Sequence, residues 1–254
     1  MKPKPEKTDS SSNYIGGKNV VREALAAAQP ILKLFIANGS RHAFQLIIEQ
    51  ARLQHIPVRE LDRRQLNDLI GNDGHQGIVA AIGAVTYASI NDILSISSSK
   101  NEPAFIALLD EIQDPHNLGA IIRSADAMGV HGIVIPKDRS AGLSQTVVKT
   151  SAGATAHVPV ARVQNLARTL DELKDQGLWI AGLDQAGNQA IASIDRTLPL
   201  GLVIGSEGAG IRRLVREKCD FLVNIPMHGR INSLNASVAA GIAFWEIRRL
   251  RIQK

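Results

Sequence analysis

The chain lacks the residues and runs that define several whole classes of protein. One cysteine among 254 residues, Cys219, can close no internal disulfide and cannot supply the paired thiolates of a zinc ribbon or an iron–sulfur cluster. No run approaches the roughly 18 to 20 apolar residues that a membrane-spanning helix needs. Residues Met1 to Asn13 are rich in Lys, Pro, Ser and Asp and have no apolar core, so they do not read as a secretory signal. These absences give the expectation of a cytoplasmic protein with a mobile tail at residues 1–13 and no membrane partner. The seven histidines never form an HExxH pair, so no metal is expected. Neither GxxxxGK[ST] nor the GxGxxG dinucleotide fingerprint occurs, which argues against P-loop and NAD-dependent oxidoreductase chemistry.

What is present belongs to an ordinary globular protein, 44% hydrophobic and 21% charged. At about 150 residues per domain there is room for one large domain or two modest ones. The net charge of +5 raises the case for a polyanionic partner only modestly. Lys+Arg outnumber Asp+Glu by 12 to 9 up to residue 100 and by 17 to 15 after it, so neither part is a basic tail. Any RNA surface must be assembled by folding.

The composition breaks once, at Ser95–Pro103 (SISSSKNEP), which suggests a domain at 14–86, a linker at 87–103 and a second domain at 104–254. In the first, helices are expected at Lys18–Ala28, Arg41–Gln54 and Arg63–Ile70, with strands at Leu32–Ala37, from Val58, and at Ile78–Val85. This α/β unit could recruit a substrate, or it could serve dimerisation or stability alone. In the second, the strands are continuous apolar runs such as FIALL, GIVI and LGLVIG, as in a parallel sheet covered on both faces. A helix is expected at Gly210–Lys218, a strand at His157–Val160 and a long helix at Asn235–Leu250. Such a doubly wound α/β domain binds ligands at the carboxyl ends of its strands, so chemistry is expected in the loops after Leu109, Ile204 and Ile225.

The first loop, Asp110–Arg123 (DEIQDPHNLGAIIR), opens a helix. Asn117 is a suitable N-cap, and Leu118, Ile122, Ala125 and Gly129 form the stripe facing the sheet. Arg123 lies off that stripe, where it either pairs with Asp126 or meets a ligand. The second, Val203–Arg213 (VIGSEGAGIRR), sets Glu207 among Gly205, Gly208 and Gly210. The glycines allow close approach of backbone to a ligand; Glu207 is an odd choice for a phosphate cradle, and a solvated turn carboxylate is the plain alternative. The third, Ile225–Gly241 (IPMHGRINSLNASVAAG), holds Ser233, Asn235 and Ser237. Capping accounts for Asn235 or Ser237 alone, whereas three short polar side chains around Leu234 also suit a loop wrapped around a neutral polar ligand. The small residues of VAAGIA permit close packing against another element or subunit.

Together these blocks resemble the three motifs of the SpoU (TrmH) family of the SPOUT superfamily, which transfers methyl groups from S-adenosylmethionine to ribose 2′-hydroxyls of RNA. The resemblance runs from about Phe105 to Leu250, and Gly16–Leu25 (GGKNVVREAL) and His75–Val79 (HQGIV) are similar to the family's smaller RNA-binding domain. The whole chain is most similar to bacterial members that methylate a guanosine in large-subunit (23S) ribosomal RNA. A tRNA-modifying member and a non-catalytic ribosomal RNA-binding protein are the alternatives.

The resemblance implies an α/β fold with a Rossmann-like, parallel-sheet SPOUT domain, a C-terminal trefoil knot that connection rules alone would reject, and an L30e-like N-terminal domain. It implies S-adenosylmethionine as cofactor, held by Gly205, Ile225 and Leu234, with Asn117, Arg123, Glu207, Ser233 and Asn235 at positions linked to catalysis. Because a guanidinium with pKa above about 12 is hard to deprotonate, we expect Arg123 to bind the target phosphate and stabilise developing alkoxide charge. Asn117, Glu207 and Asn235 would then fix the geometry, and Ser233 would bond the ribose. The expected partners are large-subunit ribosomal RNA and a second copy of the chain. That homodimer is expected to form through the helix face of Val238, Ala239, Gly241 and Ile242, completing the site near the interface.

Overall fold

The computed structural model describes residues 13–26, 31–71, 73–83, 86–230 and 233–252. The expected tail before Asn13, the expected helix end at Ala28 and the expected strand end at Val85 lie outside the described residues. The chain divides after Thr86 into two compact units.

The first unit runs β1 (Asn13–Gly16), α1 (Lys18–Ala26), β2 (Ile31–Ala37), α2 (Gln45–Leu53), β3 (Val58–Leu61), α3 (Arg63–Ile70) and β4 (Ile78–Ile82). Its sheet has the order β1-β4-β2-β3, with β4 antiparallel to β1 and β2, and β2 parallel to β3. The two sequence blocks singled out here meet in space. A Cβ on Gly16 would lie 2.8 Å from Ile70 Cδ1 and 3.0 Å from the His75 Cβ, so the glycine lets the two blocks pack closely. The Lys18 amide donates to Gln76 Oε1 at 3.2 Å. Buried His75 accepts from the Gly77 amide through Nδ1 at 2.9 Å and faces Asn67 Oδ1 through Nε2 at 2.7 Å, which fixes the neutral Nε2–H tautomer. Burial, then Arg63, lowers its pKa in keeping with that state.

The second unit begins with α4 (Ile90–Lys100), β5 (Phe105–Asp110), α5 (Pro115–Ala127), β6 (Gly132–Pro136), α6 (Gln145–Thr150), β7 (Val160–Val163) and α7 (Leu166–Asp175). It continues with β8 (Trp179–Leu183), β9 (Gln189–Ala190), β10 (Leu200–Gly205), α8 (Arg213–Arg216), β11 (Phe221–Asn224) and α9 (Ala236–Ile252). Seven strands pair in the order β7-β6-β5-β10-β8-β11-β9, every pairing parallel. Alternate residues of β5 feed opposite cores: Phe105, Ala107 and Leu109 pack with α5 and α9, while Ile106 and Leu108 pack with α4 and α7.

The expected linker at 87–103 is corrected by the structure, because most of it is helix α4. Ser89 and Asp92 form a capping box, with Asp92 N donating to Ser89 Oγ at 3.1 Å and Ser89 N to Asp92 Oδ2 at 2.8 Å. The hydroxyls of Ser95, Ser97 and Ser99 donate back to carbonyls one turn earlier, so a serine run that reads as linker is accommodated as helix. Ile93 is fully buried, against Gly132. Two smaller differences are that α8 is one turn instead of the expected Gly210–Lys218, and β7 starts at Val160 where a strand from His157 was expected. Among the described residues no helix is long and apolar enough to cross a membrane.

Candidate active site

The carboxyl ends of β5, β10, β8 and β11 form the functional edge of the sheet. At the end of β10 the chain doubles back at once: Ser206 and Gly210 bridge each other, with Ser206 N donating to Gly210 O at 3.2 Å and Gly210 N to Ser206 O at 2.9 Å. Gly208 and Gly210 take φ of +81° and +66°, the left-handed region that suits glycine. A Cβ on Gly205 would lie 2.1 Å from the Gly210 carbonyl carbon, so the hairpin closes only over a glycine. Its tip carries Glu207.

Glu207 joins all three sequence blocks. Its Oε1 accepts from Asn117 Nδ2 at 2.9 Å, from Ala236 N at 3.3 Å, and from Asn235 Nδ2. Asn235 Nδ2 also donates to Asn117 Oδ1 at 3.0 Å, closing a three-residue ring of side chains. The expected capping role of Asn117 is not observed. Asp114 caps α5, accepting from His116 N at 2.9 Å, and Pro115 occupies the first turn, where its missing N–H costs nothing. That frees Asn117 for Glu207. Asn235 serves both expected roles, because its Oδ1 accepts from Ser237 N at 3.0 Å and Val238 N at 3.3 Å at the start of α9 while its Nδ2 joins the ring.

Beside this ring lies a cavity of about 430 Å³. Glu207 and Ser233 line it, as do Gly205, Ile225 and Leu234, whereas Asn117 and Asn235 support it from behind Glu207. One wall was not anticipated: Leu183, Asp184 and Gln185, from the end of β8. The available signal was that WIAGL is another parallel strand ending at the same edge, next to β10. Among the described residues no group of three or more His, Cys, Asp or Glu is placed to hold a metal.

Arg123 is exposed on α5 and does not line the cavity. The pair it was weighed against, with Asp126, is also missing: among the described residues the Arg123 side chain makes no hydrogen bond or ion pair. Helices α5 and α9 run parallel, since Asn117 meets Asn235, Ser124 faces Gly241, and Met128 O accepts from Arg248 Nε at 3.1 Å. Gly241 therefore faces α5 and Ala239 lines the cavity, which corrects the expected helix face for self-association. The exposed apolar stripe of α9 is Val238, Ile242 and Trp245.

Residues 104–245 match the model of the SpoU rRNA Methylase family, and residues 14–88 match that of the RNA 2′-O ribose methyltransferase substrate-binding domain. A Bacillus subtilis protein named as a TrmH family tRNA/rRNA methyltransferase is 48% identical over 240 residues, 94% of this chain and 96% of its own. The crystal structure of the SpoU methyltransferase AviRb from Streptomyces viridochromogenes in complex with the cofactor AdoMet is similar with a TM-score of 0.80 and 26% identity, over 98% of this chain and 94% of that one. An AdoMet-bound rRNA methyltransferase from Sinorhizobium meliloti gives a TM-score of 0.80 and 25% identity, over 96% and 89%.

Proposed function

The chain belongs to the SpoU family of RNA methyltransferases, and from that premise we propose that it methylates the ribose 2′-hydroxyl of a guanosine in large-subunit ribosomal RNA, using S-adenosylmethionine. The observation that carries this reading is the convergence of three distant loops on one cavity through the Asn117–Glu207–Asn235 ring.

The cavity suits the cofactor. Its volume of about 430 Å³ falls within the usual range for small-ligand sites, and its lining mixes backbone polar groups of the 205–210 hairpin with the apolar side chains of Ile204, Ile225 and Leu234. Gly205, Ile225 and Leu234 would hold the adenosine. When bound, S-adenosylmethionine supplies a methyl group on a positively charged sulfur. The protein's contribution is orientation, since in-line transfer depends on holding the attacking oxygen in place. Ser233, which lines the cavity, bonds the ribose in this scheme, and the ring fixes the hairpin and the start of α9 around it.

Arg123 binds the target phosphate and stabilises developing alkoxide charge in this scheme, and a second subunit is part of it. Val238, Ile242 and Trp245 recur at i, i+4 and i+7 on α9 with exposures of 48%, 39% and 53%, a stripe suited to burial against its own copy. Arg123, whose side chain has no partner among the described residues, is available to complete a site near that interface. The first unit recruits RNA, supported by its match to a substrate-binding domain. The trefoil knot belongs to the same reading, supported by the match to the SpoU family over residues 104–245.

Methyl-labelled S-adenosylmethionine incubated with the protein and deproteinised 23S rRNA or tRNA, followed by mapping of 2′-O-methyl nucleotides, tests the proposal. Label on one guanosine ribose of 23S rRNA is expected. Label confined to tRNA, or on a base, overturns it.

A further inference from the structure

Asp110 ends β5 with no solvent exposure and takes no part in lining the cavity. Its Oδ2 accepts from the Arg212 amide at 2.8 Å, and its Oδ1 accepts from Arg212 Nε at 2.8 Å and lies 2.6 Å from Nη2. The remaining Arg212 nitrogen, Nη1, reaches Glu111 Oε1 at 3.3 Å. Arg212 is thus held by its main chain and by a two-pronged fork together. Its hydrogen bonds to Asp110 raise its pKa further above the neutral range. Asp110 is fully buried while the Arg212 side chain stays 42% exposed; such a pair adds little net stability, because desolvation of the carboxylate offsets the attraction, but it fixes direction.

The location gives that direction a use. Gly205, where the cavity hairpin begins, is the ladder partner of Asp110, and Arg212 follows the hairpin's last contact residue, Ile211. One residue of β5 therefore pins both ends of the segment that carries Glu207: one by strand pairing, the other by its carboxylate.

We propose that Asp110 and Arg212 form a positioning pair that holds the Ser206–Ile211 hairpin in the shape required for S-adenosylmethionine binding. Neither residue lines the cavity, and the proposal rests on the cofactor reading given above.

Calorimetric titration of S-adenosylmethionine into the full chain and its Arg212→Gln variant tests it, with circular dichroism reporting the fold. The variant is expected to fold and to bind about tenfold or more weakly, the scale of losing hydrogen bonds to a charged group. Arg212→Lys, which keeps the charge without the fork, is expected to fall between the two. A folded Arg212→Gln that binds within twofold of the parent overturns the proposal, even where its melting temperature has dropped, since a merely structural role predicts that pattern. Should Arg212→Gln fail to fold, Arg212→Lys binding within twofold overturns it equally. A parent protein that does not bind overturns the cofactor reading and this proposal with it, whereas parental binding with unaltered variants overturns this proposal alone.

Discussion

The ring of Asn117, Glu207 and Asn235 makes an energetic claim that a double-mutant cycle can measure. Glu207→Ala deletes three bonds to one carboxylate oxygen, from Asn117, Asn235 and the Ala236 amide. Bonds to a charged acceptor contribute about 1.5 to 3 kcal/mol when buried, but Glu207 is exposed, and a discounted value near 1 kcal/mol each gives a loss of about 2 to 3 kcal/mol. Asn117→Ala removes one bond to Glu207 and one from Asn235, about 1 to 2 kcal/mol on the same scale. Because the two share a bond, the double variant should lose less than the sum by about 0.5 to 1 kcal/mol. Urea unfolding followed by tryptophan fluorescence isolates the relevant unit, since both tryptophans, Trp179 and Trp245, lie beyond Thr86. Additivity within about 0.3 kcal/mol would mean that the three side chains are neighbours without coupling, and the ring could then not be what ties the three loops together.

Arg123→Ala should leave stability within about 0.5 kcal/mol of the parent, its side chain having no partner among the described residues to lose, while slowing single-turnover methyl transfer on the order of 10²-fold with cofactor binding intact. Turnover within a few-fold of the parent would remove Arg123 from the reaction. Buried His131 accepts from Phe105 N through Nδ1 at 3.0 Å, and burial, then Lys100, lowers its pKa. The unfolded state binds the extra proton first, so the second unit should be fully stable above about pH 6.5 and weaken as pH falls below it. His131→Gln should flatten that dependence between pH 7.5 and 5 in urea titrations, and an unchanged slope would refute the assignment. Cys219, its thiol pushed up to about 12 by burial, should react with a disulfide reagent at pH 8 about 10³-fold more slowly in the folded protein than after denaturation; equal rates would contradict it.

How much of this was legible in the sequence depended on whether the signal was local. The core strands read correctly because FIALL and LGLVIG are continuous apolar runs, and β5 and β10 occupy the ranges expected of them. Each of the three loops was legible as a place for chemistry, since a parallel sheet presents its ligand at the strands' carboxyl ends. The serine-rich helix α4 was not, because its hydroxyls satisfy themselves on the helix backbone and composition alone reads them as linker. Nor was the cap of α5, where Asp114 and Asn117 are equally good residues and only the 90-residue reach from Asn117 to Glu207 decides between them.

The long-range pairs show where local reading must stop. Asp110 and Arg212 are 102 residues apart, and Asn117 and Asn235 are 118 apart. In sequence each of these is an ordinary strand end, helix start or turn, and no periodicity links them. Their meeting follows from the strand order alone: inserting β10 beside β5 brings the hairpin's Glu207 over the start of α5, and α9, lying parallel to α5, brings Asn235 to the same point. Arg123 is the counter-example that confirms the rule. It lies six residues beyond Asn117, about 9 Å along the helix and some 240° around it, so the helix that delivers Asn117 to Glu207 presents Arg123 on another face, off the cavity lining. In the scheme proposed above, Arg123 acts on the cavity of a second subunit. Mixed dimers settle this: an inactive Arg123→Ala chain combined with an inactive Glu207→Ala chain should recover activity if sites are shared between subunits, and no recovery would mean that Arg123 and Glu207 serve the site from the same subunit.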